Sequence, residues 1–180
     1  MSPTSRPPPP MDLRDVQAVI ASARARGTDP LERWIRRRLK DPDDAEVKEA
    51  SEVALEIIET VPIFLARAAQ EAEERKLVPV VQPLLDRAVV YFTRPVDLIP
   101  EMTHGLAGLL DDTYLVLRIL ENLERGPTPV LDWDLEYPLT FLRGLVGASV
   151  ARQLDELSIL AMQDVSHHLS AFWNHLGAEA

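Results

Sequence analysis

Apolar residues recur three and four positions apart along most of this chain, and the repeat is interrupted chiefly where proline or glycine stands. That period is the helical one, and no run of alternating β-branched residues competes with it. Val16, Val19, Ile20 and Ala23 mark a first helix from about Leu13 to Ala25, ended by Gly27. Asp29 followed by Pro30 reads as a helix start, with a capping carboxylate and a proline whose missing N–H costs nothing there. Asp41 followed by Pro42 repeats the signal. The third helix should run through Val53, Ala54, Ile57, Ile58 and Val61 and kink or break at Pro62, with Ile63 to Lys76 continuing helically. Val78 to Arg94 is the next helix, closed by Pro95 because the residue before proline is disfavoured in the α region. Asp111 to Arg125 follows and stops at the stretch GPTP, residues 126–129. The segment VLDWDLEYPLTFLRGLVGAS then leads into a long helix, about Val150 to Leu176, with Gly177 as its stop.

The expected class is therefore all-α, an antiparallel helical bundle with a C-terminal helical extension. Residues 1–11 form a proline-rich arm expected to be extended and unstructured, residues 12–125 the bundle, and residues 130–177 the extension. At 180 residues and 46% apolar, one sizeable core is within reach. The chain has no cysteine, which removes disulfides, thiolate metal sites and cysteine nucleophiles. No apolar run approaches the length of a membrane span, and the N-terminal stretch lacks the apolar region of a secretory signal. A net charge of −10 opposes nucleic-acid binding, which draws its affinity from Lys and Arg. A cytoplasmic location fits these features.

One segment departs from that acidic average. Arg33, Arg36, Arg37, Arg38 and Lys40 surround Trp34, Ile35 and Leu39, and the acidic run beginning at Asp41 follows at once. Two explanations stand: a basic face for an anionic lipid surface or acidic partner, or neutralisation against the next helix.

The densest signal is YFTRPVDLIPEMTHGLAGLLDDTYLV, residues 91–116. Two prolines interrupt a helix-prone segment that carries Asp97, Glu101, Asp111 and Asp112 and then becomes helical again. On a helical wheel Val116, Ile119, Leu120 and Leu123 define an apolar arc that includes Asp112, while Asp111, Arg118, Asn122 and Arg125 group on the other side. Asp112 thus faces the core from the first turn, where free amides favour a carboxylate, and Arg87, Arg94 or His104 are its candidate partners. Asp97 can cap a short turn, and Gly105 and Gly108 permit tight turning or close approach.

The combination PVDLIPE, a spacer with Gly105 and Gly108, and LLDD resembles the YkvA-like family over roughly residues 84–120. The resemblance implies a domain of unknown function, with membrane association suspected for members and a similar motif in a RING-type ubiquitin ligase of the endoplasmic reticulum membrane. It makes Asp97, Glu101, Asp111 and Asp112 the motif acids and Pro95, Pro100, Gly105 and Gly108 their frame. Arg94, Thr103 and His104 depart from the family's tendency toward small or apolar residues and argue against insertion of this hairpin into a bilayer.

Asp97, Glu101, His104 and Asp112 are hard-ligand types that would suit Mg²⁺, Mn²⁺ or Ca²⁺ if they converged; the plainer expectation is capping and internal ion pairing. Asp164, His168 and His175 share one edge of the last helix, but about 10 Å of helical rise separates the two histidines, so one ion cannot take both without strain. That helix also carries a broad apolar stripe of Leu154, Leu157, Ala161, Val165, Leu169, Phe172 and Leu176, widened by Met162 and Trp173. The stripe has to be covered, either by the rest of the chain or by a partner at Val165, Leu169, Phe172, Trp173 and Leu176. No nucleophile triad, phosphate loop or dinucleotide fingerprint occurs. The expected function is a non-enzymatic interaction or scaffold module that takes a protein partner or a second copy, with peripheral membrane contact open and no cofactor. The alternative is a metal-dependent enzyme or metal-binding regulator at the motif acids.

Overall fold

The structure, a computed structural model, describes residues 11–94, 105–124 and 133–177, with the side chains of 124 and 165–177 left outside that description. Among the described residues the chain is all-α. The helices are α1 (Arg14–Ala25), α2 (Asp29–Arg38), α3 (Asp44–Glu74), α4 (Val78–Thr93), α5 (Leu109–Glu124), α6 (Glu136–Val146) and α7 (Ala148–Gly177), with a 3-10 turn at Leu106–Gly108 leading into α5. They form a helical bundle around one continuous core to which every helix contributes, from Val16 on α1 to Leu154 and Ala161 on α7.

The starts of α2 and α3 differ by one or two residues from those expected. Thr28 precedes α2 and Asp29 lies inside its first turn. For α3 the start is Asp43, not Asp41: Asp43 accepts from the Glu46 amide at 2.8 Å while the Glu46 carboxylate accepts from the Asp43 amide at 2.9 Å. This reciprocal pair satisfies two amides that a helix start leaves open, which the Asp41–Pro42 step cannot do from a left-handed Asp41 with φ of 47°.

The break that Pro62 allows does not occur, and α3 runs through it for 31 residues. Proline withholds one N–H from the helix ladder. The Thr60 hydroxyl donates to the Ile57 carbonyl at 2.6 Å just before it, and Val61 and Leu65 on either side are fully buried, so packing on the core outweighs the local loss. A further helix, α6, lies where the sequence pattern predicts only a lead-in to the last helix. Its apolar positions Leu139, Leu142, Leu145 and Val146 are all buried. Pro138 sits in its first turn, where its missing donor is harmless, and Gly147, with φ of 91°, separates it from α7.

Two contacts fix α6 and the segment before it. Trp34 on α2 donates its indole N–H to the Leu145 carbonyl at 2.9 Å inside the core. Trp133 packs on α3, with its ring 5.0 Å from that of Phe64 and the Arg67 guanidinium 5.3 Å from it.

Candidate functional site

The described half of the motif opens α5. Gly105 holds φ of 74° and ψ of −155°, a region open only to glycine, and the Gly108 amide donates to the Gly105 carbonyl at 3.2 Å to close the turn. Among the described residues the nearest atoms to an added Cβ, Pro30 Cγ and the Ala23 carbonyl oxygen, lie at 3.9 and 4.0 Å.

Asp111 and Asp112 then occupy the first turn of α5 at 4% and 3% exposure, and the Asp111 carboxylate accepts from the Asp112 amide at 3.0 Å. The positive end of the helix and its open amides favour both charges. Asp112 faces inward as its wheel position implies. Asp111 does not face solvent, and this corrects the wheel: α5 is covered on its polar side as well as its apolar one, so Asp111 through Leu117 are all buried. Of the expected cationic neighbours, Arg87 reaches across to Asp164 on α7 at 2.7 Å, and Arg94 is exposed. Asp97, Glu101, Pro95, Pro100 and His104 lie outside the described residues. Among those described, no three carboxylates or histidines come together as a metal site would require.

What covers the polar side of α5 is a network that wheel analysis of one helix does not reveal. Asp155 on α7 lies at its centre. Its Oδ1 accepts from the Tyr114 hydroxyl at 2.8 Å and from Arg118 Nε at 2.8 Å, and its Oδ2 accepts from Arg143 on α6 at 3.0 Å. Arg143 also donates to the Tyr114 oxygen at 3.0 Å, and Arg118 pairs with Glu121. One turn on, Asn122 donates to Ser158, whose hydroxyl donates to the Asp155 carbonyl at 2.7 Å.

Burial opposes ionisation of Asp155, but hydrogen bonds from Tyr114 and Arg143 and the charges of both arginines win and hold its carboxyl below the usual carboxylate range. Burial, aided by the Asp155 charge, pushes the Tyr114 hydroxyl up to about 12. A phenol held this firmly protonated is no base at neutral pH, and a carboxylate accepting three donors has little capacity left for proton transfer. The adjoining cleft, about 160 Å³ and bordered by Tyr114, Arg118, Glu136, Thr140 and Arg143, is smaller than the usual range for organic-ligand sites. Its chemistry is that of a clamp joining α5, α6 and α7.

On the surface, Arg33, Arg36, Arg37, Arg38 and Lys40 are all exposed. Arg36 pairs with Asp44 at 2.5 Å, and the Arg38 guanidinium lies 4.6 Å from the centre of the Trp34 ring. On α7, Ala151, Leu154, Ser158 and Ala161 are buried, which places the first half of the apolar stripe in the core. Val165, Leu169, Phe172, Trp173 and Leu176 continue along the same helix, as do His168 and His175, but their side chains lie outside the description.

No curated protein and no solved structure matches the chain. From the middle of α4, through the motif and into α5, residues 87–117 match the family described as a protein of unknown function, DUF1232.

Proposed function

We propose that the chain is a non-enzymatic helical interaction module of the YkvA-like kind, working in the cytoplasm and docking to a protein partner or to a second copy. The observation that carries this is the burial of Asp111 and Asp112, at 4% and 3% exposure in the first turn of α5. Carboxylates in that position anchor a helix start and are out of reach of a substrate. The match over residues 87–117 supports the YkvA-like assignment, since it falls within the segment that carries the resemblance. No helix among the described residues is long and apolar enough to cross a membrane, so any membrane contact is peripheral in this proposal.

Metal analysis of the purified full chain tests it. The expected result is no stoichiometric metal, with Asp112→Asn changing stability and leaving metal content untouched. Stoichiometric metal that disappears in Asp112→Asn while the fold persists would replace this proposal with a metal-dependent enzyme or regulator.

A further inference from the structure

We infer that the exposed face of α2 is a docking surface for an acidic segment of a partner protein, with Arg33 and Arg37 as its primary contacts. This deepens the interaction-module proposal and rests on it.

The charge distribution comes first. In a chain of net charge −10, five of the 19 Lys and Arg residues fall between positions 33 and 40. Part of the cluster has an internal explanation: cations in the last turn of a helix are favoured by its negative end, Arg36 pairs with Asp44, and Arg38 lies over Trp34. Arg37 shares the last-turn position, but no side chain holds it or Arg33 among the described residues. Both are exposed, both point away from the buried side formed by Leu31, Trp34 and Ile35, and neither has an acidic partner among the described residues.

The form of the cluster narrows the partner. A helix lying in a membrane interface needs free apolar residues beside its cations. Here Leu31 and Ile35 are fully buried and Trp34 nearly so, which leaves Leu39, 37% exposed, as the only apolar residue of the segment accessible at the surface. Asp41, Asp43 and Asp44 are also exposed directly after the basic residues, and a flat anionic surface would bring like charges against them. A narrow acidic segment can follow the arginines and avoid those acids.

Spacing gives a register. Arg33 and Arg37 lie one turn apart, about 6 Å along the helix. Alternate carboxylates on an extended peptide repeat at about 7 Å, which suits one carboxylate for each planar guanidinium. Exposed pairs of this kind are individually weak and screened by salt, so the contact will be salt-sensitive.

The test uses the full chain and a fluorescent alternating glutamate–alanine decapeptide at low ionic strength, with the glutamine–alanine decapeptide as control. Vesicles of phosphatidylserine and phosphatidylcholine are assayed alongside. The expected result is saturable binding of the acidic peptide alone, weakened roughly tenfold or more by Arg33→Glu with Arg37→Glu. Circular dichroism should be unchanged, and Arg33→Gln with Arg37→Gln should show a smaller loss if charge reversal perturbs the fold. No peptide binding at low salt, or equal binding by the variants, overturns the inference. Arginine-dependent capture on the vesicles with no peptide binding overturns it in favour of a lipid surface. Metal content measured on the same preparation keeps the two proposals distinguishable: stoichiometric metal sinks the interaction-module proposal while the peptide result stands by itself.

Discussion

The Tyr114 hydroxyl donates to Asp155 at 2.8 Å, joining the helix that carries the motif to the last helix of the chain. Arg118 and Arg143 complete the shell of that carboxylate from α5 and α6, so one acidic side chain ties three helices together. Tyr114→Phe removes one hydrogen bond to a charged acceptor and should cost about 1 to 2 kcal/mol. Asp155→Ala removes the common acceptor of Tyr114, Arg118 and Arg143 and should cost more, about 2 to 4 kcal/mol. Urea titration of both single variants and the double would read this directly. A double-variant loss equal to the sum of the single losses would mean that the two groups do not interact.

The same pair sets two pH limits. Asp155 titrates below its ordinary range when folded, so its contribution is present above the unfolded value, near 4, and lost as pH falls through the lower folded value. Tyr114 is the opposite case. Raised from 10.0 to about 12, it contributes fully below pH 10 and loses that contribution as pH rises toward 12. Thermal melts across pH should show an alkaline decline that Tyr114→Phe abolishes and an acid decline that Asp155→Asn reduces.

Helix period and punctuation made most of the fold legible, because the buried apolar positions of α1 and α2 recur at helical spacing on one side of each helix. The network around Asp155 was not legible for a physical reason. On α5 alone, Arg118 and Asn122 form an ordinary solvent-facing side; their partial burial follows from Asp155 and Ser158, about 36 positions away on α7, which offer matching acceptors. That match is visible only when two polar faces are compared, and α6, which supplies Arg143, was not expected as a helix. At Pro62 the helix continues instead of breaking: the local penalty of proline is readable from sequence, whereas the burial that outweighs it is not.

Asp111 and Asp112 should respond alike to truncation. A wheel of α5 alone predicts a large loss for Asp112→Ala and almost none for Asp111→Ala. With both below 5% exposure, each alanine removes a buried acceptor at the helix start and should cost on the order of 2 kcal/mol. Asparagine at either site, which keeps the acceptor oxygen, should cost less. Matched melting shifts for the two alanine variants are the expected result, and a silent Asp111→Ala would restore the outward assignment.

Trp34 tests how firmly α6 is held. Trp34→Phe keeps a large apolar ring against the core but removes the donor to the Leu145 carbonyl, 2.9 Å away and buried. An unpaired buried carbonyl costs about 1 to 3 kcal/mol. Amide exchange should rise first at the C-terminal end of α6 in this variant. Uniform acceleration over all helices would indicate that α6 has no separate opening from the core.

The two glycines of the motif frame should separate sharply. Gly105 occupies φ of 74° and ψ of −155°, where any Cβ is strained, while Gly108 ends the 3-10 turn without a positive φ. Among the described residues an added Cβ at Gly105 would meet its nearest neighbours, Pro30 and Ala23, at ordinary contact distances of 3.9 and 4.0 Å. The penalty for Gly105→Ala is therefore conformational, about 1 to 3 kcal/mol, and cannot be relieved by trimming a neighbour. Gly108→Ala carries no such backbone penalty. Pairing Gly105→Ala with Pro30→Ala distinguishes strain from crowding: relief of the loss would make the site a steric contact, and an additive loss, the expected result, assigns it to the backbone that turns the chain into the start of α5.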